Sequence, residues 1–166
     1  EFKVYNYERS ATQVALDYNS KAGSVKGTGT QFGSNTNQNL SNGLVGYWKE
    51  DHSTAGTAAT DSSGNSFTLT DSGTVAYASG KFGAGGDFET ANADEFQYLA
   101  DNATLSITGS LTLSAWVKPE IVSAGSRTIM AKWDLISAVD HESYRLSQEA
   151  DELRFSIDSG GNYVET

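Results

Sequence analysis

The side chains best placed to do chemistry in this chain are acids grouped in turns and a few large aromatic rings. Asp61-Ser62-Ser63-Gly64-Asn65 is a compact turn rich in oxygen. Calcium takes roughly six to eight oxygen ligands, commonly from Asp, Asn and loop carbonyls, so Asp61 and Asn65 are candidate calcium ligands. Asp87 is a weaker candidate, as is Asp94 beside Glu95. The competing reading is an Asx turn, in which the Asp61 carboxylate caps its own backbone. Charge favours a cation. Lys plus Arg is 11 against 21 for Asp plus Glu, a net charge of −10, so carboxylates outnumber their basic partners. The same excess excludes a phosphate backbone as partner, which needs clustered Lys and Arg.

Catalytic patterns are weaker. His52 follows Glu50-Asp51 and His141 sits between Asp140 and Glu142, and neither is paired with a Ser in a nucleophile-elbow pattern. Glu149, Asp151 and Glu152 are the nearest thing to paired glycosidase carboxylates, but their spacing reads as a solvated hairpin tip. There is no Cys, hence no disulfide, thiolate metal site or thiol nucleophile. The glycines follow strands with no helix behind them, so dinucleotide and phosphate loops fail on context. The chain reads as a non-enzyme. Trp116 and Trp133 could stack on a sugar ring, although a Trp within a sandwich strand is more often packed.

Three stretches must position these groups. Glu1–Gly23 opens on a strand in which Phe2, Val4 and Asn6 share one face and Lys3, Tyr5 and Tyr7 the other. Ser10 and Gln13 then form a capping-box pattern, followed by Val14, Leu16 and Tyr18 over about two helical turns. Ser24–Asn42 is almost wholly Gly, Ser, Thr, Asn and Gln, which reads as a linker. Gly43–Thr166 alternates short strands with turn residues. Expected strands are 44–49, 67–70, 86–88, 96–100, 111–118, 128–133, 143–148 and 153–158. In the clearest, Leu111, Leu113, Ala115 and Val117 alternate with Thr112, Ser114, Trp116 and Lys118. Many short strands with regular turns predict an all-β antiparallel sandwich. No apolar run approaches the length of about 18 residues that a spanning helix needs.

The wording of the third stretch resembles bacterial laminin-G-like, concanavalin A-like jelly-roll domains. GLVGYWKEDHSTAGTAATDSSGNSFTLT resembles their opening, KFGAGGDFE a following strand and LADNATLSITGSLTLSAWVKP their centre. RTIMAKW, SYRLSQ and LRFSID are similar to the next three strands. Departures are present: Asp87-Phe88-Glu89 lacks the glycine the family places after this strand, and the closing strands do not follow Thr166. A segment similar to the family's closing piece stands at the start instead, as Glu1–Asn19. The resemblance implies a jelly-roll fold. It also implies a structural calcium near Asp61, shared with an acid at the start of the closing strand, here Glu1.

A family tail ahead of a family head fits three arrangements. The chain is a window on a tandem array, with Glu1–Gly23 ending an upstream domain and Gly43–Thr166 an incomplete next one. Alternatively, Phe2, Val4, Tyr5 and Tyr7 complete a neighbouring subunit's sheet by strand addition. In the third, the first strand folds back on its own sheet, against which the missing middle strands count. The first two imply a structural or adhesive repeat of a bacterial surface protein or filament, extracellular, with other copies of the protein as partners. The alternative is a carbohydrate-binding module contacting extracellular glycans. Neither nucleic acid nor membrane insertion is expected, and calcium is the one cofactor considered.

Overall fold

Short alternating segments separated by glycine-rich turns build eleven strands and one α-helix among the described residues. The computed structural model describes residues 1–20, 42–51, 59–89, 95–122, 125–133, 143–158 and 163–166. The paired strands whose register is defined are antiparallel, which places the protein in the all-β class. The chain divides into two compact units. Glu1–Ala100 with Ser110–Ser114 forms one, and Asp101–Gly109 with Ala115–Thr166 the other.

The first unit holds β1 (Phe2–Tyr5), α1 (Ala11–Ser20), β2 (Leu44–Trp48), β3 (Thr70–Ser72), β4 (Ala76–Ser79), β5 (Ala84–Asp87), β6 (Phe96–Tyr98) and most of β7 (Thr112–Ala115). Its main sheet has the order β2-β1-β7, so the first strand of the chain is the middle strand. Phe2 pairs with Trp48, Lys3 with Tyr47 and Val4 with Gly46. Two ribbons, β3-β6 and β4-β5, complete this unit. Val4, Tyr5, Val45, Tyr47, Trp48, Ala59, Phe67 and Val75 are buried. The Trp48 indole N–H donates to the Phe67 carbonyl at 2.6 Å. Gly46 lets the same indole lie close over the backbone, because a Cβ there would collide with its ring.

The second unit contains a 3-10 turn (Ala103–Leu105), β8 (Ser126–Lys132), β9 (Tyr144–Glu149), β10 (Glu152–Asp158) and β11 (Tyr163–Glu165), in the sheet order β11-β10-β9-β8. Glu149 pairs with Glu152, and Ala150-Asp151 form the turn between them. Glu149, Asp151 and Glu152 thus sit at a hairpin tip, where the sequence placed them.

Most expected strands are present with shifted ends. The exception is 67–70. There the Phe67 amide donates to Asp61 and the Leu69 amide to the Ala59 carbonyl, so regular pairing starts only at Thr70. The domain division also differs from the expected one. The first two arrangements place Glu1–Gly23 in an upstream domain or against a neighbouring subunit. In the structure Phe2, Val4 and Tyr5 are bonded into this chain's own sheet, within the same unit as β2. This is the strand pairing that the third of the three arrangements describes. Its physical basis is that β2 and β7 each offer a free edge that β1 satisfies from both sides.

Candidate functional site

The sequence concentrates polar chemistry where β1 enters the sheet. Lys3, Arg9 and Glu50 are buried charged residues. Burying a charge is costly unless it is paired, so the partners define the site. The Lys3 ammonium lies 2.9 Å from Oδ1 and 3.1 Å from Oδ2 of Asp17 on α1, 3.7 Å from Glu1 and 5.0 Å from the Tyr47 ring centre. The Arg9 guanidinium covers the Tyr5 ring at 4.4 Å and donates to Asp17 and to the Gln13 carbonyl. Tyr5 and Tyr7 meet edge to face at 5.8 Å.

The helix is started as its sequence predicts. The Ser10 amide donates to Gln13 Oε1 at 2.8 Å, and the Gln13 amide donates to Ser10 Oγ at 3.3 Å. This reciprocal pair is a capping box. The apolar side chains of the helix point outward. Val14 and Tyr18 are about half exposed, and Leu16 is exposed too. Among the described helix positions the half-buried ones are Gln13 and Asp17, one turn apart. They face inward because their partners, Tyr7, Arg9 and Lys3, lie there.

The remaining contacts join this strand–helix piece to the strands beside it. The Tyr47 hydroxyl donates to the Glu1 carboxylate. Thr112 Oγ1 donates to the Tyr7 carbonyl at 2.9 Å and accepts from the Arg9 amide at 3.0 Å. The Asn6 amide donates to the Gly43 carbonyl at 2.9 Å. Burial pushes Tyr47 up to about 12, helped by the Asp17, Asp51 and Tyr5 charges. Burial likewise pushes Tyr5 up to about 12, with Arg9 opposing.

The candidate calcium turn is engaged by protein donors. Asp61 Oδ1 accepts from the amides of Tyr47 at 3.0 Å and Ser63 at 2.8 Å. Oδ2 accepts from Ser63 Oγ at 2.7 Å and the Phe67 amide at 3.0 Å. Burial works to raise the Asp61 carboxyl, but the bonds from Ser63, Phe67 and Tyr47 outweigh it and hold the group below its ordinary value. Asn65 Nδ2 donates to the Val45 carbonyl at 2.8 Å. A carboxylate has about four acceptor sites, and here four donors occupy them. Calcium would have to compete with those bonds. Glu1 contacts Tyr47 and Lys3. Asp87 is half buried at the end of β5, paired with Ala76. Asp94, His52 and His141 lie outside the described residues.

Trp116 and Trp133 are both partly buried. The Arg145 guanidinium stands 5.2 Å from the Trp133 ring centre. Lys132 pairs with Asp101 at 2.6 Å and Arg154 with Glu165 at 3.5 Å. The exposed aromatic pair is one that sequence reasoning passed over. Phe96 is 51% and Tyr98 49% exposed, with ring centres 5.8 Å apart. The available signal was their i, i+2 spacing, which puts both on one face of β6.

Comparison with protein-family models, with curated proteins and with solved structures finds no match for this chain.

Proposed function

We propose that this chain is a non-catalytic structural or adhesive repeat of an extracellular surface protein or filament, folded as a jelly-roll sandwich and joined to its neighbours by exchange of the first strand. The observation that carries the reading is the place of β1 in the sheet. It is the middle strand of β2-β1-β7, yet in sequence it is separated from β2 by residues 6–43. A middle strand supplies main-chain hydrogen bonds on both edges, the source of affinity in strand addition. A strand tethered by the polar Ser24–Asn42 stretch can serve its own sheet or an identical one in a neighbouring copy. The test is sedimentation of the full chain over a wide concentration range, with and without an excess of a synthetic peptide of residues 1–20. Oligomers that grow with concentration and shrink when the peptide is added support the reading. A single monomeric species at every concentration sinks it.

Phe96 and Tyr98 favour a second reading, a carbohydrate-binding module. Their rings share an exposed face, with Ser72 and Thr70 paired directly opposite. Flat rings beside hydroxyls suit a neutral sugar. Titration with neutral oligosaccharides checks it. Heat that Tyr98→Ala abolishes supports this reading, and absence of heat at high protein concentration removes it.

A further inference from the structure

Thr112 and Gly43 contact the entering segment through its main chain, which carries no sequence information. Tyr47 is different. Its hydroxyl donates to the carboxylate of Glu1, and its ring lies 5.0 Å from the ammonium of Lys3. Both charges fall on the same face of β1, two residues apart, and Lys3 is the residue directly paired with Tyr47. One acceptor side chain therefore touches an acid through its polar end and a base through its π-face.

Register follows from this geometry. A slip of one residue brings Phe2 or Val4 opposite Tyr47 and turns Glu1 and Lys3 to the other face. A slip of two keeps the face but brings Glu1 or Tyr5 opposite Tyr47. A carboxylate over the ring then meets the negative side of its quadrupole, or the cation is lost altogether. Burial keeps the Tyr47 hydroxyl protonated, and so a donor, through ordinary pH.

We propose that Tyr47 is the specificity-determining residue of the cleft between β2 and β7, admitting in one register a strand that carries an acid and a base two residues apart, as Glu1 and Lys3 are. The proposal rests on the strand-exchange reading, and its test separates the two. Synthetic peptides of residues 1–20, native and Glu1→Gln, compete for oligomers of the full chain and of its Tyr47→Phe variant. On the native chain the Glu1→Gln peptide is expected to be weaker by about threefold or more, because the amide oxygen still accepts from Tyr47 but without the charge that strengthens the bond. On Tyr47→Phe the two peptides are expected to act alike. Equal potency on both chains, with oligomers still dissolving, overturns the role of Tyr47 and leaves strand exchange standing. Should the full chain be monomeric and indifferent to peptide, strand exchange falls. The role of Tyr47 is then decided by melting of the full chain carrying Glu1→Gln, Tyr47→Phe or both. Non-additive shifts support it and additive shifts overturn it.

Discussion

The Lys3 ammonium rests 2.9 Å and 3.1 Å from the two carboxylate oxygens of Asp17, so a nearly buried ion pair fastens α1 to the middle strand of the first unit's main sheet. The lysine side chain is 4% and the aspartate 13% exposed, so solvent screens the pair little. The helix turns apolar Val14, Leu16 and Tyr18 outward, and Asp17 ties it to Lys3 of β1 and to Arg9. Strand and helix therefore enter the sheet as one piece.

Removing one partner of such a pair leaves a charge stranded and typically costs about 3 kcal/mol, whereas replacing both with apolar residues of similar volume is often close to neutral. Asp17→Leu is expected to lower the stability of the first unit by about that amount. Lys3→Met with Asp17→Leu is expected to recover only part of the loss, because Arg9 still lacks its carboxylate. Urea unfolding of the native chain, both single variants and the double variant measures the coupling. A double variant as unstable as Asp17→Leu alone would show that the pair is not what joins helix to strand.

Asp61 leads to an acid-side expectation. Its folded-state value lies below the ordinary one, so its contribution to stability is complete above the unfolded-state value of about 4 and is lost as pH falls through the folded value. The native chain should lose stability on acidification below about pH 4 more steeply than Asp61→Asn, which has no such proton to take up. Asp61→Ala also strands the amides of Tyr47, Ser63 and Phe67, at a cost of about 3 kcal/mol or more. With its acceptor sites engaged, the turn is expected to show no rise in melting temperature on adding calcium. A rise that Asp61→Asn abolishes would make Asp61 a ligand after all.

At alkaline pH four tyrosines act together. Burial pushes Tyr5, Tyr47, Tyr77 and Tyr144 each up to about 12. The folded chain thus holds these protons longer than the unfolded one, where tyrosine titrates near 10. Their contribution is fully present below pH of about 10 and is lost as pH rises through about 12. Phenolate absorbance and circular dichroism followed together should change cooperatively in that window, Tyr5, Tyr47 and Tyr77 reporting on the first unit and Tyr144 on the second. Tyr144→Phe should make the change shallower. Four tyrosines titrating smoothly near 10 with the fold intact would contradict the burial.

Local signals were legible in the sequence, and pairings distant along the chain were not. The Ser10–Gln13 capping box is a contact between residues three apart, so its spacing sufficed. Leu44–Trp48 carries enough β-branched and aromatic character to announce itself, as do Ser126–Lys132, Tyr144–Glu149 and Glu152–Asp158 of the second unit, whereas Tyr163–Glu165 was not expected. Ala76–Ser79 was not expected either: apart from Tyr77 it holds only Ala and Ser, residues with little intrinsic strand signal, and it forms because it pairs with Ala84–Asp87, which overlaps the expected strand at 86–88. At Asp61 the oxygen-rich composition was visible, but whether those oxygens face an ion or amides depends on Tyr47 and Phe67. The place of β1 between β2 and β7 is least legible of all. Its alternation reveals a strand without saying which chain edge it will satisfy, and the inward Asp17 became interpretable only once Lys3 was placed beside it.

The hairpin of the second unit carries a removable strain. Ala150 has φ of 56° in the two-residue turn between Glu149 and Glu152, a region that costs a residue with a Cβ roughly 1 kcal/mol. Asp151 is not among the described residues with positive φ, so the turn has the pattern that favours glycine at its first central position. The turn is held in place regardless of that side chain. The Ala150 amide donates to the Gly125 carbonyl at 2.9 Å, and Gln148 Nε2 donates to the Ala150 carbonyl at 2.7 Å. Ala150→Gly keeps both bonds and removes the clash, at the cost of a freer unfolded chain. The relief exceeds that cost at positive φ, so a gain of about 0.5 kcal/mol is expected in urea unfolding of the second unit. Ala150→Val should lose stability instead, because a β-branched side chain tolerates this conformation least. Equal stability of the glycine and valine variants would mean that the turn relaxes out of the strained region in solution.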